Sequence, residues 1–267
     1  MPYVTVEKPR PHVSLITMNR PERMNAMSFD TVGDLYQAIE QVGRDNDTYV
    51  AVLTGAGDGF CAGLDLEDHG VPPGIEGLTM SRIAIRSMEF MSGIVPALRD
   101  MPQPVIAAVN GPAVGGGFCL SLGADIRLVG ESAHFRGAGI NNGLTGTELG
   151  VSFLLPRLIG ASRSNEIILS GRAVDAHEAD RIGLASRVVA DDQLMEQSLD
   201  LASQIAGYSA HGVSMTKKLL WSSLEIGSLE AAIDSENRNQ LLVRMTTENL
   251  AEAIRARREK RSPVYQD

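Results

Sequence analysis

The stretch Val105-Ile-Ala-Ala-Val-Asn-Gly-Pro-Ala-Val-Gly-Gly-Gly-Phe-Cys-Leu-Ser-Leu constrains the fold of this chain more than any other. Its first five residues are all apolar and predict a buried strand. Asn110-Gly-Pro predicts a turn, and Gly115, Gly116 and Gly117 open an apolar helix. Glycine is needed where backbone passes close to another group or takes a positive φ. A second strand, Val50–Thr54, is closed by Gly55-Ala-Gly-Asp-Gly. Between the two, helical spacing gives an apolar stripe of Met80, Ile83, Met88, Met91, Val95 and Leu98. Strand, helix, strand, helix is the rhythm of a mostly parallel sheet, which places the chain in the α/β class.

Ahead of this core, Tyr3–Val6 and Val13–Met18 alternate β-branched with polar residues and predict an opening hairpin joined at Pro9-Arg-Pro. Ser28 is placed to cap a helix whose apolar positions Phe29, Val32, Leu35, Tyr36, Ile39 and Val42 recur at helical spacing. From Leu194 onward the pattern is helical and ends in the mixed-charge run Glu252–Arg261. The expected organisation is a core over residues 1–193 that carries the pocket, followed by a helical region over 194–267. Helices that cannot bury both faces on their own core suit oligomerisation; a solvated last helix is the plainer alternative.

The net charge of the 267 residues is −9, which excludes a broad nucleic-acid or anionic-membrane footprint but not a local basic pocket. Cys61 and Cys119 are the only cysteines. They form neither a disulfide framework nor a CxxC metal pair, so a reducing, cytoplasmic setting is expected. The start lacks the basic and apolar regions of a secretory signal, and no apolar run is long enough to span a bilayer. His12, His69, His134, His177 and His211 have no metal-ligand spacing, so no metal is expected.

The glycine turns carry the chemistry. At a helix N-terminus the first N–H groups are unpaired and the dipole favours negative charge. Gly59-Phe-Cys-Ala-Gly-Leu-Asp-Leu also follows a strand and exposes N–H groups beside a glycine. Donors from two such turns make an oxyanion hole suited to a thioester enolate. Taken alone, the three glycines read first as serving tight helix–sheet packing; the second turn gives the oxyanion reading its weight.

Asn19-Arg-Pro-Glu-Arg-Met-Asn-Ala, Phe60-Cys-Ala-Gly-Leu-Asp-Leu, the stretch from Pro104 through Gly117 and Ala124-Asp-Ile-Arg together resemble the crotonase superfamily, the enoyl-CoA hydratase/isomerase group. The likeness continues through Leu169-Ser-Gly-Arg, Ala179-Asp-Arg-Ile-Gly-Leu-Ala-Ser and Glu259-Lys-Arg-Ser-Pro-Val-Tyr. It looks nearest a mycobacterial-type branch of enoyl-CoA hydratases, marked by Gly139-Ile-Asn-Asn-Gly-Leu-Thr and the following Glu-Leu-Gly. The resemblance implies a spiral of ββα units and a helical C-terminal trimerisation region. It also implies a homotrimer or dimer of trimers that binds an acyl-CoA thioester, with no cofactor beyond the coenzyme A of the substrate. It puts the oxyanion N–H donors on Leu64 and Gly116, with Ala62, Asp65, Gly115, Cys119 and Gly139 around the substrate. The loop holding Arg20 and Arg23 falls where the family contacts CoA, although a solvated charged turn explains these arginines as well.

The departures decide the chemistry. Typical hydratases of this family carry two glutamates, and the matching positions here are Cys119 and Gly139. Water addition to a 2-enoyl-CoA needs groups that orient water and pass its proton, and neither residue supplies a carboxylate. Glu148 is left, at the place where the dienoyl-CoA isomerase and 4-chlorobenzoyl-CoA dehalogenase branches keep a working aspartate. In an apolar pocket it would have a raised pKa suited to proton transfer; alternatively it favours the dipole of a helix starting near Leu149. Cys119 near a helix start invites covalent catalysis, but a small buried hydrophobe is the simpler reading. Asp65 is expected to cap a short helix after the oxyanion turn. Asp68 and His69 are candidates for the pocket mouth, His134 for core or surface, and Asp125 for a structural role. The expected activity is that of an enoyl-CoA hydratase, in fatty acid or related acyl-CoA metabolism. Enoyl-CoA double-bond isomerisation, thioester hydrolysis and non-catalytic acyl-CoA binding are the alternatives.

Overall fold

The apolar runs become strands and the amphipathic runs cover them. The computed structural model describes residues 2–266. Its strands are β1 (Val4–Arg10), β2 (Val13–Met18), β3 (Val50–Gly55), β4 (Val105–Val109), β5 (Ala113–Val114), β6 (Ile126–Gly130), β7 (His134–Arg136), β8 (Ala173–Asp175) and β9 (Arg187–Val189). The helices are α1 (Phe29–Gly43), α2 (Met80–Ser92), α3 (Ile94–Asp100), α4 (Gly116–Gly123), α5 (Val151–Ile159), α6 (Ala161–Ser170), α7 (Ala176–Ile182), α8 (Leu194–Ala206), α9 (Ala210–Ser223), α10 (Leu229–Thr246) and α11 (Asn249–Glu259).

Six strands form one sheet in the order β1-β2-β3-β4-β6-β9, and β5-β7-β8 form a second. Only β1 runs antiparallel to its neighbour in the larger sheet. Every residue of β3 and β4 is buried, as expected of central parallel strands covered on both faces. One apolar layer joins Ile16, Leu53, Ala107 and Phe118 to α1, α3 and α4. The other joins Val50, Val52 and Ile106 to Leu194, Leu199 and Ala202 of α8. The α/β class is as expected.

Ser28 does cap α1, accepting from the Thr31 N–H at 3.1 Å. Two expectations change. The first strand runs on through Pro9 to Arg10, with a register irregularity after Glu7, and the turn falls at His12, whose φ is 60°. Proline fits here because β1 is an edge strand and its missing N–H breaks no ladder. The stripe from Met80 to Leu98 is split at Gly93, which ends α2 and starts α3. Met91, Val95 and Leu98 are buried, whereas Met80 and Met88 are 78% and 59% exposed.

The C-terminal helices are fastened to the sheet by a buried lysine. Lys217 on α9 donates to the carbonyls of Leu98 and Gln103 at 3.1 and 2.9 Å and pairs with Asp125 at 3.1 Å. Asp125 also accepts from Trp221 Nε1 at 2.6 Å and from the Val105 N–H at 2.7 Å, which bears out its structural reading. Removing one partner of a buried pair strands the other. Lys217→Met is therefore expected to cost about 3 kcal/mol, read as a lower urea midpoint; an unchanged midpoint would show that the clasp adds nothing.

Candidate active site

The site is assembled from three loops, and the first is locked by an asparagine. Met24 and Asn25 both take left-handed backbone, with φ of 50° and 56°. Buried Asn25 donates from Nδ2 to the carbonyls of Ala56 and Gly59 at 2.9 and 2.7 Å, and its Oδ1 accepts from the Arg20 N–H at 2.9 Å. The loop is thereby tied to the turn after β3.

Two residues on, Met27 forms a bridge with the second loop. The Met27 N–H donates to Gly63 O at 2.7 Å, and the Asp65 N–H donates to Met27 O at 3.0 Å. These bonds bracket Leu64, whose own N–H has no acceptor among the described residues. The Gly116 N–H, at the start of α4, also has none, while the Gly115 N–H donates to Arg136 O at 2.8 Å. The two turns touch: a methyl group built on Gly63 would lie 3.3 Å from the Gly116 nitrogen.

The glycine triplet divides between the two readings. A methyl group on Gly117 would sit 2.1 Å from Cys61 O, so Gly117 serves packing. Gly115, with φ 53° and ψ −119°, holds a backbone that side chains rarely adopt and faces the third loop. A methyl group there would lie 3.4 Å from Glu148 Oε1 and 3.3 Å from Ala138 Cβ. The Glu148 carboxylate thus lies against the turn that opens α4.

Glu148 is half-buried, and its carboxylate has no hydrogen-bond donor among the described residues. Burial alone pushes its pKa above the ordinary carboxylate range. The following residue, Leu149, is left-handed at φ 45°. Helix α5 starts at Val151, two residues later than expected, and Glu148 meets it through its backbone carbonyl, which accepts the Val151 N–H at 2.9 Å.

Cys119 meets Glu148 at its backbone carbonyl. It is 1% exposed, its thiol donates to Glu148 O at 3.4 Å, and burial followed by the Glu148 charge drives its pKa far upward. Such a thiol is no nucleophile. Burial also pushes Cys61 up, to about 12. Gly139 is closed in by its own loop, since a methyl group there would lie 2.0 Å from Thr145 O.

Arg23 is engaged by carboxylates, pairing with Asp65 at 2.6 Å and Glu67 at 2.7 Å, so its charge is already balanced. Asp65 caps no helix: its Oδ1 accepts the Glu67 and Asp68 N–H groups within an irregular turn. Ala62 donates to Met24 O at 3.0 Å. Asp68 and His69 are exposed, and His134 heads β7 half-buried. Met27, Ala138 and Leu149 complete the walls, with Met27 Sδ 3.1 Å and Leu149 Cδ2 3.8 Å from a methyl group placed on Gly116. None of the three stands out in the sequence, because only long-range packing brings them together.

A cavity of about 990 Å³ lies elsewhere, among α9, α10 and α11, and is lined by Tyr208, Lys217, Leu220, Val243 and Tyr265. Among the described residues, no cluster of His, Cys, Asp or Glu is arranged to hold a metal, and no helix is long and apolar enough to cross a membrane.

The sequence profile of the family described as Enoyl-CoA hydratase/isomerase matches residues 10–267. The chain is 54% identical over 264 residues to the "Probable enoyl-CoA hydratase EchA12" of Mycobacterium tuberculosis, spanning 99% of this chain and 93% of the relative. A crystal structure described as a probable enoyl-CoA hydratase/isomerase from Mycobacterium abscessus superposes with a TM-score of 0.95 at 50% identity, covering 100% of this chain and 99% of that one. A monofunctional enoyl CoA isomerase from M. smegmatis superposes with a TM-score of 0.74 at 45% identity, covering 87% of this chain and 99% of that one. With the profile spanning nearly the whole sequence and the fold shared from end to end, the chain belongs to the enoyl-CoA hydratase/isomerase family.

Proposed function

We propose that the protein moves the double bond of an enoyl-CoA, with the Leu64 and Gly116 N–H groups holding the thioester oxygen and Glu148 carrying the proton. The observation that carries this reading is the Glu148 carboxylate against Gly115, with no carboxylate at positions 119 or 139. One carboxylate suffices for isomerisation. It takes the C2 proton of a 3-enoyl thioester, the charge passes to the thioester oxygen between the two N–H donors, and the same carboxyl group returns the proton at C4. The likeness to a monofunctional isomerase supports this reading.

Hydration of a 2-enoyl-CoA is the second reading, favoured by the name of the M. tuberculosis relative. It would require Glu148 to act alone on water. Exposed apolar residues on α10 and α11, among them Leu241, Met245 and Leu250, support a homotrimer or dimer of trimers.

Mass spectrometry separates the two activities. After incubation of 2-enoyl- and 3-enoyl-CoA in deuterated water, the expected product carries deuterium with its double bond moved and no added water. A product heavier by one water would establish hydration. Unchanged substrates with binding intact would leave acyl-CoA holding as the function.

A further inference from the structure

We infer that Asp65 is a positioning residue for the Leu64 N–H, clamped from two sides by Arg20 and Arg23. This rests on the reading of Leu64 as an oxyanion donor and assigns the side chains that keep the donor aimed.

The peptide that carries the Leu64 N–H begins at Gly63, whose φ is 87°. Glycine offers this peptide plane little resistance to rotation, so its direction must be imposed from outside. At one end, the Gly63 carbonyl accepts the Met27 N–H. At the other stands Asp65, whose N–H donates to Met27 O and whose side chain is 1% exposed. Its Oδ1 lies 2.6 Å from Arg23 Nη2; its Oδ2 lies 3.3 Å from Arg23 Nε and 3.3 Å from Arg20 Nη2. The Glu67 and Asp68 N–H groups, at 3.1 and 2.9 Å, complete the coordination of Oδ1.

Arg20 is itself buried and held by several partners. Its side chain is 6% exposed, Nη1 donates to Ala26 O at 3.1 Å, and the guanidinium lies 5.0 Å from the Tyr3 ring centroid. The clamp therefore runs from the edge of the sheet to the residue after the donor. Buried ion pairs add little net stability over apolar packing, because desolvation offsets their attraction. Their directional bonds do fix geometry, and here they add to the Met27–Gly63 bond in holding the peptide that begins at a glycine.

The test compares Asp65→Asn and Arg23→Gln with the wild type. Arg23 is about one-third exposed, so its variant is expected to fold even if Asp65→Asn does not. Three quantities are read: kcat and KM, the red shift of a conjugated enoyl-CoA chromophore on binding, and the affinity for an S-alkyl-CoA thioether, which has no carbonyl. Loss of one oxyanion donor lowers kcat by about 10²–10³-fold; a misaimed donor is expected to lose about tenfold in Arg23→Gln and more in Asp65→Asn. The red shift should shrink in parallel, while thioether affinity holds. A full red shift in folded variants, or an equal loss of thioether affinity, would overturn the positioning role while leaving the oxyanion reading in place. Absence of the shift in the wild type itself would overturn both.

Discussion

Glu148→Gln is expected to lower kcat by about 10²–10⁴-fold, the usual worth of a positioned acid–base group, while a non-reacting acyl-CoA binds as before. Glutamine keeps the shape against Gly115 and Ala138 but cannot exchange a proton. The effect should fall on kcat because the role proposed for the carboxylate, set against the turn that opens α4, is proton transfer rather than binding. Burial raises the Glu148 pKa, and the working base is the ionised form. The acid limb of kcat in the wild type should therefore lie above the ordinary carboxylate range, with activity rising as pH passes through it.

Stability provides a second readout of the same group. With the folded pKa above the unfolded one, the favourable contribution of Glu148 is present below the unfolded pKa and is lost as pH rises through the folded one. Glu148→Gln should thus raise the urea midpoint at neutral pH and leave it unchanged in acid. Full turnover in this variant would remove Glu148 from the mechanism.

What the sequence revealed was local. Val105–Val109 is a strand at the residues anticipated, and Ser28 caps α1, because a run of apolar residues and a hydroxyl before a helix act on their near neighbours. The division of labour among Gly115, Gly116 and Gly117 was not legible. It depends on which atom each approaches across space, Glu148 Oε1 for the first and Cys61 O for the third. Trp221 and Asp125 lie 96 positions apart, so no spacing rule joins them. The two- and three-residue strands β5, β7 and β8 are too short for any alternation to register. Glu148 stands out in the sequence only through the resemblance to a family pattern; its orientation toward the turn comes from the fold.

The glycine at 139 leads to the last prediction: introducing there the glutamate that the resemblance implies for typical hydratases should not produce a two-glutamate hydratase. Gly139 has φ −55° and ψ −48°, ordinary helical values, so backbone strain is not what excludes a side chain. Space is. A Cβ would lie 2.0 Å from Thr145 O and 3.1 Å from Thr145 C, and the Gly139 carbonyl already accepts the Asn142 and Leu144 N–H groups at 3.0 and 2.9 Å. The loop is wound tightly around this residue, and Glu148 stands just beyond its end. Gly139→Glu is therefore expected to cost about 3 kcal/mol, as overpacking does, and to lose isomerisation without gaining hydration. Gly139→Ala isolates the cause: if the Cβ is the obstacle, alanine should lower the urea midpoint almost as far as glutamate. A stable Gly139→Glu protein that hydrates 2-enoyl-CoA would show instead that the loop opens at little cost. The absence of the second carboxylate would then be a change of one residue. On the geometry seen here, Thr145 O fills the space that a side chain at 139 would need.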